Sequence, residues 1–244
     1  MTPDRPLAVT FDFGQTLADL DVEMLARRLA EKDAVVAAEA LERAVGPAWV
    51  AYNEAVLKGL GGHPWKILMR RMLSEAAAPE ASIEELVDWL WSEQPHKNLW
   101  RRPVPGMIGI VDELSRAGVP VGVVSNSEGR LADLIADLGW TDHFNTVADS
   151  GKLGVEKPGR AIFDWAAERL NVPVERIVHV GDSHAADVEG ALGAGLRAIW
   201  FRGDRGRAGD PRMVVCADAA EVRAALVAWG LLRADHAERS LNVR

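Results

Sequence analysis

The sequence has almost no cysteine, no long apolar run and no excess of basic residues. Cys216 is the single cysteine among 244 residues, so no intrachain disulfide can form and a reducing compartment fits. No apolar stretch is long enough to span a bilayer, and residues 1–6 lack the apolar run of a signal peptide. We therefore expect a cytoplasmic protein that does not act at a membrane.

The charge balance excludes two further classes of partner. The formal charge is −8, from 28 basic and 36 acidic side chains. Nucleic-acid backbones and anionic membranes are bound by clustered Lys and Arg, so we expect neither. A small phosphorylated metabolite stays compatible, because one metal ion and one lysine reverse the local sign. The expected protein is a monomer or homodimer that binds such a metabolite.

The first hundred residues predict one strand followed by helices. Residues 7–12 form a short apolar run that ends in an acid, which is typical of a buried strand. Residues 21–100 are rich in Ala, Leu, Glu and Arg with helical periodicity, and breaks are expected near Gly46-Pro47, at 59–64 and near Ala78-Pro79. This block predicts several helices and no strand.

From Arg102 onward, strands and helices alternate. The predicted helices are 107–117, 128–138, 159–170, 185–194 and 219–232, and the predicted strands are 119–124, 144–148, 177–180, 197–201 and 213–215. Such alternation indicates right-handed crossovers and an α/β fold with a doubly wound parallel sheet. We expect residues 1–20 and 101–244 to form this core, with residues 21–100 inserted as a helical domain after strand 1.

Polar residues follow several predicted strands at the point where each strand ends, which is where doubly wound sheets bind ligands. Taken singly, each has a structural explanation, such as an N-cap for Ser125 or a turn for Asp12. Their joint placement indicates a functional site. The residues are Asp12, Gly14 and Thr16 after the first strand, Ser125 and Asn126 at the next, Lys157 before a helix, and Asp182 with Asp187 near the strand at 177–180.

This set of motifs resembles the haloacid dehalogenase-like hydrolase superfamily over essentially the whole chain. The family's first motif, Asp-x-Asp-x-Thr after an apolar strand, is matched by Asp12 to Thr16 except at Gly14. Ser125 matches the second motif and Lys157-Pro158 the third. The fourth, Gly-Asp-Ser with a further Asp, is matched by residues 181–183 and Asp187 and is the most specific. The helical insert resembles the family's smaller cap type, so the fold expected is a Rossmann-like core with a helical cap.

The resemblance implies a role for each of these side chains. Asp12 would be the nucleophile that forms an aspartyl-phosphate. Mg²⁺ would be held by Asp12, the backbone carbonyl of Gly14, Asp182 and Asp187, since this hard ion prefers oxygen ligands. Catalysis would also need Lys157, which compensates the pooled negative charge, and Ser125. Phosphate oxygens would be bound by Ser125, Asn126, Lys157 and Thr16.

Gly14 departs from the family pattern. The second Asp of the first motif serves the family's phosphatases as general acid and base, a role worth about 10²–10⁴ in rate that Gly14 cannot fill. His63 and His184 are candidate substitutes, although structural or solvated roles are favoured for both. We expect an Mg²⁺-dependent phosphatase that is slow because Gly14 replaces this acid and base. The alternatives are a phosphonate- or haloacid-cleaving enzyme of the same fold, or a degenerate protein that binds a phosphorylated ligand or a protein partner.

Overall fold

A computed structural model describes residues 5–58 and 64–234 of the chain. The chain divides into two compact units. One comprises the chain up to Leu17 and from Pro103 onward, and the other is Ala18–Arg102. Among the described residues, no helix is both long and apolar enough to cross a membrane.

Within the described ranges, the chain forms eight strands and ten α-helices. The strands are β1 (Ala8–Phe11), β2 (Ala18–Leu20), β3 (Trp100–Pro103), β4 (Val121–Ser125), β5 (Thr146–Asp149), β6 (Ile177–Gly181), β7 (Arg197–Phe201) and β8 (Met213–Cys216). The helices are α1 (Val22–Ala30), α2 (Ala38–Lys58), α3 (Pro64–Glu75), α4 (Ile83–Glu93), α5 (Met107–Arg116), α6 (Leu131–Asp137), α7 (Ser150–Leu153), α8 (Arg160–Leu170), α9 (Gly190–Ala194) and α10 (Ala219–Ala228).

The α/β unit is built on a six-stranded sheet in the order β5-β4-β1-β6-β7-β8, with every pair parallel. This confirms the predicted doubly wound parallel sheet. Helix α8 packs with α9, and α5 packs with α10, and both groups contact the sheet. The central strands β1, β4 and β6 bury every residue, because helices that cover a parallel sheet leave it no solvent face. The strand order changes direction beside β1, which puts the end of β1 at the expected ligand crevice.

Two predicted helix bounds in this unit were wrong, for identifiable reasons. Helix α6 begins three residues late because Asp149 accepts hydrogen bonds from the backbone N–H groups of Gly129 and Leu131, which holds this stretch as a loop. Helix α10 ends early because Gly230 adopts a left-handed conformation (φ 76°) just beyond it. The helix predicted at 185–194 begins as a π-helical segment, His184–Glu189, before α9. The short α7 was not predicted.

The unit Ala18–Arg102 is mainly helical. The short strands β2 and β3, which pair with each other at its ends, were not predicted, and only Trp100 of β3 falls within residues 21–100, where no strand was expected. The break predicted near Gly46-Pro47 was wrong, because α2 continues through Pro47. The buried residues Leu41, Ala44 and Ala48 form one continuous apolar stripe past the proline, and their packing outweighs the local penalty. The break near Ala78-Pro79 is confirmed, since α3 ends at Glu75. Most of the break expected at 59–64 lies outside the described residues.

Pro47 gives a stability prediction. It lies exposed inside α2, where it lacks an N–H and crowds the carbonyl of Arg43. Pro47→Ala should therefore stabilise the helical unit by up to about 3 kcal/mol, and the neighbouring Gly46→Ala by about 0.5–1 kcal/mol. Denaturant unfolding monitored by circular dichroism measures both. A destabilised Pro47→Ala protein would show that the proline fixes a bend that the packing requires.

Candidate active site

The strand register brings the predicted residues to one edge of the α/β unit. Phe11 of β1 pairs with Val123 of β4 and with Val180 of β6. Asp12 therefore lies level with the residues just before Ser125 and Asp182, since parallel strands end at the same edge. The backbone N–H of Asp12 donates to the carbonyl of Val180 at 2.8 Å, which fixes the start of the first motif.

Lys157 lies between two of the carboxylates that were predicted to surround it. Its Nζ donates to Asp12 Oδ1 at 2.6 Å and to Asp187 Oδ1 at 2.5 Å, and the side chain is only 3% exposed. Its burial lowers the lysine pKa, but the charges of Asp12 and Asp187 outweigh this and raise it overall. Lys157 is therefore an ammonium ion shared by the two acids.

The side chain of Asn126 forms two hydrogen bonds with the backbone of Lys157. Its side-chain Nδ2 donates to the Lys157 carbonyl at 2.9 Å, and its Oδ1 accepts from the Lys157 N–H at 2.8 Å. These two reciprocal bonds fix the backbone from which the ammonium projects. The side chain of Asn126 thus supports Lys157. The sequence did not predict this role; it predicted only that the backbone N–H of Asn126 binds a phosphate oxygen.

Asp187 is held by three donors. Its Oδ1 accepts from Lys157 and from His179 Nε2 at 3.2 Å, and its Oδ2 accepts from the Ser183 backbone N–H at 2.9 Å. Burial alone would raise the pKa of Asp187, but Lys157 and His179 hold it well below its usual value. The carboxylate is therefore ionised, and one acceptor site on Oδ2 is left for another partner.

Asp12, Asp182 and Asp187 can each offer an oxygen within 4.8 Å of the others. Burial and the charges of Asp187 and Asp12 raise the pKa of Asp182 well above its usual value. Burial likewise raises the pKa of Asp12, although Lys157 opposes the shift. Three carboxylates against one ammonium leave a formal charge of −2 when all are ionised. A set of oxygen donors with this net negative charge fits a hard divalent cation such as Mg²⁺.

The first two motifs also include Ser125, Thr16 and Gly14. Ser125 is buried at the end of β4, paired in register with Asp149. Thr16 is fully buried, and its hydroxyl has no hydrogen-bond partner among the described residues. The left-handed residue of the turn is Gln15 (φ 58°), and Gly14 is not among the residues with positive φ. The backbone at position 14 therefore does not demand glycine.

Of the two histidines predicted as candidate replacements for the missing acid, His184 lies among the described residues. His184 follows Ser183 and packs edge-on against Trp200, with a ring-centroid distance of 4.6 Å. Its Nδ1 accepts from Arg207 at 3.3 Å, and partial burial together with this cation lowers its pKa. His184 is thus a neutral, partnered ring. His63 lies outside the described residues.

Sequence reasoning missed Thr10 and His179, which join the site from inside the sheet. They pair in register on β1 and β6, with 2.9 Å between Thr10 Oγ1 and His179 Nδ1. Each is the polar residue of an otherwise apolar strand, and that pattern was the available signal. Sequence alone could not show that the two residues face each other, since register depends on the assembled sheet.

Comparisons with known proteins agree with this geometry. The sequence profile of the haloacid dehalogenase-like hydrolases matches residues 7–195. The chain is 28% identical to the mouse haloacid dehalogenase-like hydrolase domain-containing protein 3 over 62% of its own length, which spans 61% of that relative. It is 30% identical to phosphoglycolate phosphatase of Agrobacterium fabrum, over 81% of the chain and 80% of that enzyme. Among solved structures, the HAD-hydrolase YfnB of Bacillus subtilis, bound to magnesium, has a TM-score of 0.68 at 18% identity, covering 91% and 99% of the two chains.

Gly181 gives a test of the site's packing. A Cβ at this position would overlap the carboxylate of Asp187, so only glycine fits here without displacing that carboxylate. Gly181→Ala should destabilise the fold by about 1–3 kcal/mol, because Asp187 must leave Lys157 and His179. The matched control is Gly193→Ala in α9, where a Cβ has open space and the change should be neutral or stabilising. Equal unfolding free energies for the two variants would contradict the close approach.

Proposed function

Because the chain belongs to the haloacid dehalogenase-like hydrolases, we propose that it is an Mg²⁺-dependent phosphatase that hydrolyses a small phosphorylated metabolite through Asp12. One observation carries this proposal. The Lys157 ammonium bridges Asp12 and Asp187, while nearby Asp182 adds a third carboxylate, whose pKa is raised well above its usual value by burial and by the charges of Asp187 and Asp12. A site of this charge suits a cation together with an electrophilic phosphoryl group. The phosphoglycolate phosphatase relative supports the same class of reaction.

The oxygens of Asp12, Asp182 and Asp187, with the Gly14 carbonyl, would hold the ion. When bound, Mg²⁺ supplies positive charge beside the phosphoryl oxygens and offsets the repulsion among these acids. Lys157 occupies Oδ1 of Asp12, so the carboxylate cannot turn freely and its Oδ2 is the atom left for attack. The acids would thus bind the metal and supply the nucleophile, and Lys157 would balance part of their negative charge.

The reaction begins when Asp12 Oδ2 forms a bond to phosphorus and the bond from phosphorus to the leaving oxygen breaks. Lys157 balances the charge at Asp12, while Ser125, Thr16 and the Asn126 N–H bind the equatorial phosphoryl oxygens. The unpartnered hydroxyl of Thr16 supports this part of the proposal, since a buried hydroxyl normally has a partner. Water then hydrolyses the aspartyl-phosphate and releases phosphate.

Gly14 restricts which leaving groups depart quickly. An alkoxide needs a proton donor, whereas an aryl or acyl phosphate releases a weakly basic group without one. His184 is neutral and its Nδ1 accepts a hydrogen bond from Arg207, so the ring lacks the acidic imidazolium proton that a general acid would donate. We therefore propose activated aryl or acyl phosphates as the faster substrates.

The helical unit Ala18–Arg102 would act as the cap that selects the substrate. Its first residue follows Asp12 by only six positions, which supports this role. Caps of this type exclude water from the reacting group. The cytoplasm is the proposed compartment, because Cys216 is the single cysteine of the sequence and a reducing compartment fits a chain without an intrachain disulfide.

Two rival functions of the same fold would behave differently. Cleavage of a carbon–halogen bond by this family proceeds without a metal, so the cluster of three acids favours phosphate chemistry. A binding protein without turnover would retain the phosphate on Asp12. A burst of product followed by no further release would favour that second rival.

Asp12→Asn provides the main test of the proposed reaction. With p-nitrophenyl phosphate and Mg²⁺, turnover should be abolished in the variant and also in wild type treated with EDTA. Asp164→Asn on the exposed face of α8 is the matched control and should keep wild-type turnover. Full activity in EDTA would contradict the role of the metal, and an active Asp12→Asn protein would contradict the nucleophile.

Gly14→Asp tests the leaving-group argument. The new carboxylate would occupy the family's general acid–base position, and the backbone there does not require glycine. Turnover of an alkyl phosphate should rise, by up to about 10²–10⁴, while turnover of an aryl phosphate changes much less. The ratio of the two kcat values at saturating Mg²⁺ measures this effect. A wild-type enzyme that already hydrolyses alkyl phosphates as fast as aryl ones would disprove it.

A further inference from the structure

Thr10 and His179 form a buried polar pair behind the site. They lie side by side on β1 and β6, and they are 1% and 0% exposed. The hydroxyl oxygen of Thr10 lies 2.9 Å from His179 Nδ1, and His179 Nε2 lies 3.2 Å from Asp187 Oδ1. A chain of contacts therefore runs from Thr10 through His179, Asp187 and Lys157 to Asp12.

The contacts assign the protons along this chain. Asp187 Oδ1 already accepts from the Lys157 ammonium, so the carboxylate is ionised and can only accept from His179. The Nε2 atom must therefore carry a hydrogen. The Thr10 hydroxyl, which can donate or accept, lies within hydrogen-bond distance of Nδ1 on the other side of the ring, and Phe163 packs edge-on against it. These contacts hold the ring with its Nε2–H directed at Asp187.

The bond from His179 affects the geometry of Lys157. Asp187 Oδ1 is shared by His179 and Lys157, and Oδ2 is held by the Ser183 N–H. With all three donors, the carboxylate plane is fixed, and Lys157 Nζ is held where it also reaches Asp12 Oδ1. Without the Nε2–H, Asp187 could rotate toward the other acids and carry Lys157 with it.

We propose that His179, held by Thr10 with its Nε2–H directed at Asp187, is a positioning residue that orients Asp187 and so holds Lys157 against Asp12. The effect on turnover rests on the proposed phosphatase function, but the effects on tautomer and metal binding do not. His179 touches no reacting atom. It acts on the nucleophile through two intervening side chains.

Three variants separate positioning from simple packing. His179→Leu fills similar space without a donor, His179→Gln restores an amide N–H toward Asp187, and Thr10→Val removes only the hydroxyl. His143→Gln is the matched control, since His143 bonds Asp112 at 2.7 Å in the same unit and plays no part in the site. Each protein is measured for kcat and KM on p-nitrophenyl phosphate, for Mg²⁺ affinity by calorimetry, and for ring protonation by ¹⁵N NMR.

The proposal predicts an Nε2 that carries a proton both in wild type and in Thr10→Val, because ionised Asp187 accepts from it in both proteins. His179→Leu should lose about 10–100-fold in kcat and in Mg²⁺ affinity, as for other residues that orient metal-site carboxylates. KM should change little, His179→Gln should recover most of the loss, and His143→Gln should match wild type.

Two results would overturn the inference. One is a wild-type ring whose Nε2 carries no proton, which needs neither metal nor substrate to observe. The other is a folded His179→Leu protein with wild-type Mg²⁺ affinity. If the wild type shows no phosphatase turnover but His179→Leu still weakens Mg²⁺ binding, the proposed function fails and the positioning role stands. If His179→Leu does not fold, the tautomer measurements on wild type and Thr10→Val decide.

Discussion

The ammonium of Lys157, buried between Asp12 and Asp187, is the interaction on which the rest of the site depends. Burying a charge without a partner is costly, and here each acid is stabilised by the same cation. The arrangement still leaves an excess of negative charge, because three neighbouring carboxylates share one ammonium, which donates hydrogen bonds to two of them. That imbalance makes the site a receptor for further positive charge.

The fold supports this interaction from several directions. The β1–β6 register aligns Thr10 with His179, and the tight approach at Gly181 brings Asp187 beneath the strand end. The Asn126 side chain fixes the backbone of Lys157 from β4. Each support is a short, buried contact made by a residue in or beside a central strand. Rigid elements thus hold the charges, which is the condition for preorganised electrostatics.

Much of this arrangement could be predicted from sequence, because the signals are local. Apolar runs and turn residues gave the parallel sheet, and the polar residue at each strand end gave Asp12, Ser125 and Asp182. What could not be predicted depends on assembly. The continuation of α2 through Pro47 follows from packing along the helix, and the link from His179 to Asp187 follows from register and the π-helical turn. Periodicity carries no information about which polar side chains meet inside a sheet.

A structure of the protein with Mg²⁺ and beryllium fluoride, which mimics a phosphoryl group on a carboxylate, tests the central claim most directly. The account predicts beryllium bonded to Asp12, a metal ion on Asp12 and Asp182, and Lys157 Nζ still in contact with both Asp12 and Asp187. An adduct on another residue, or a Lys157 side chain withdrawn from the two acids when the site is filled, would contradict it.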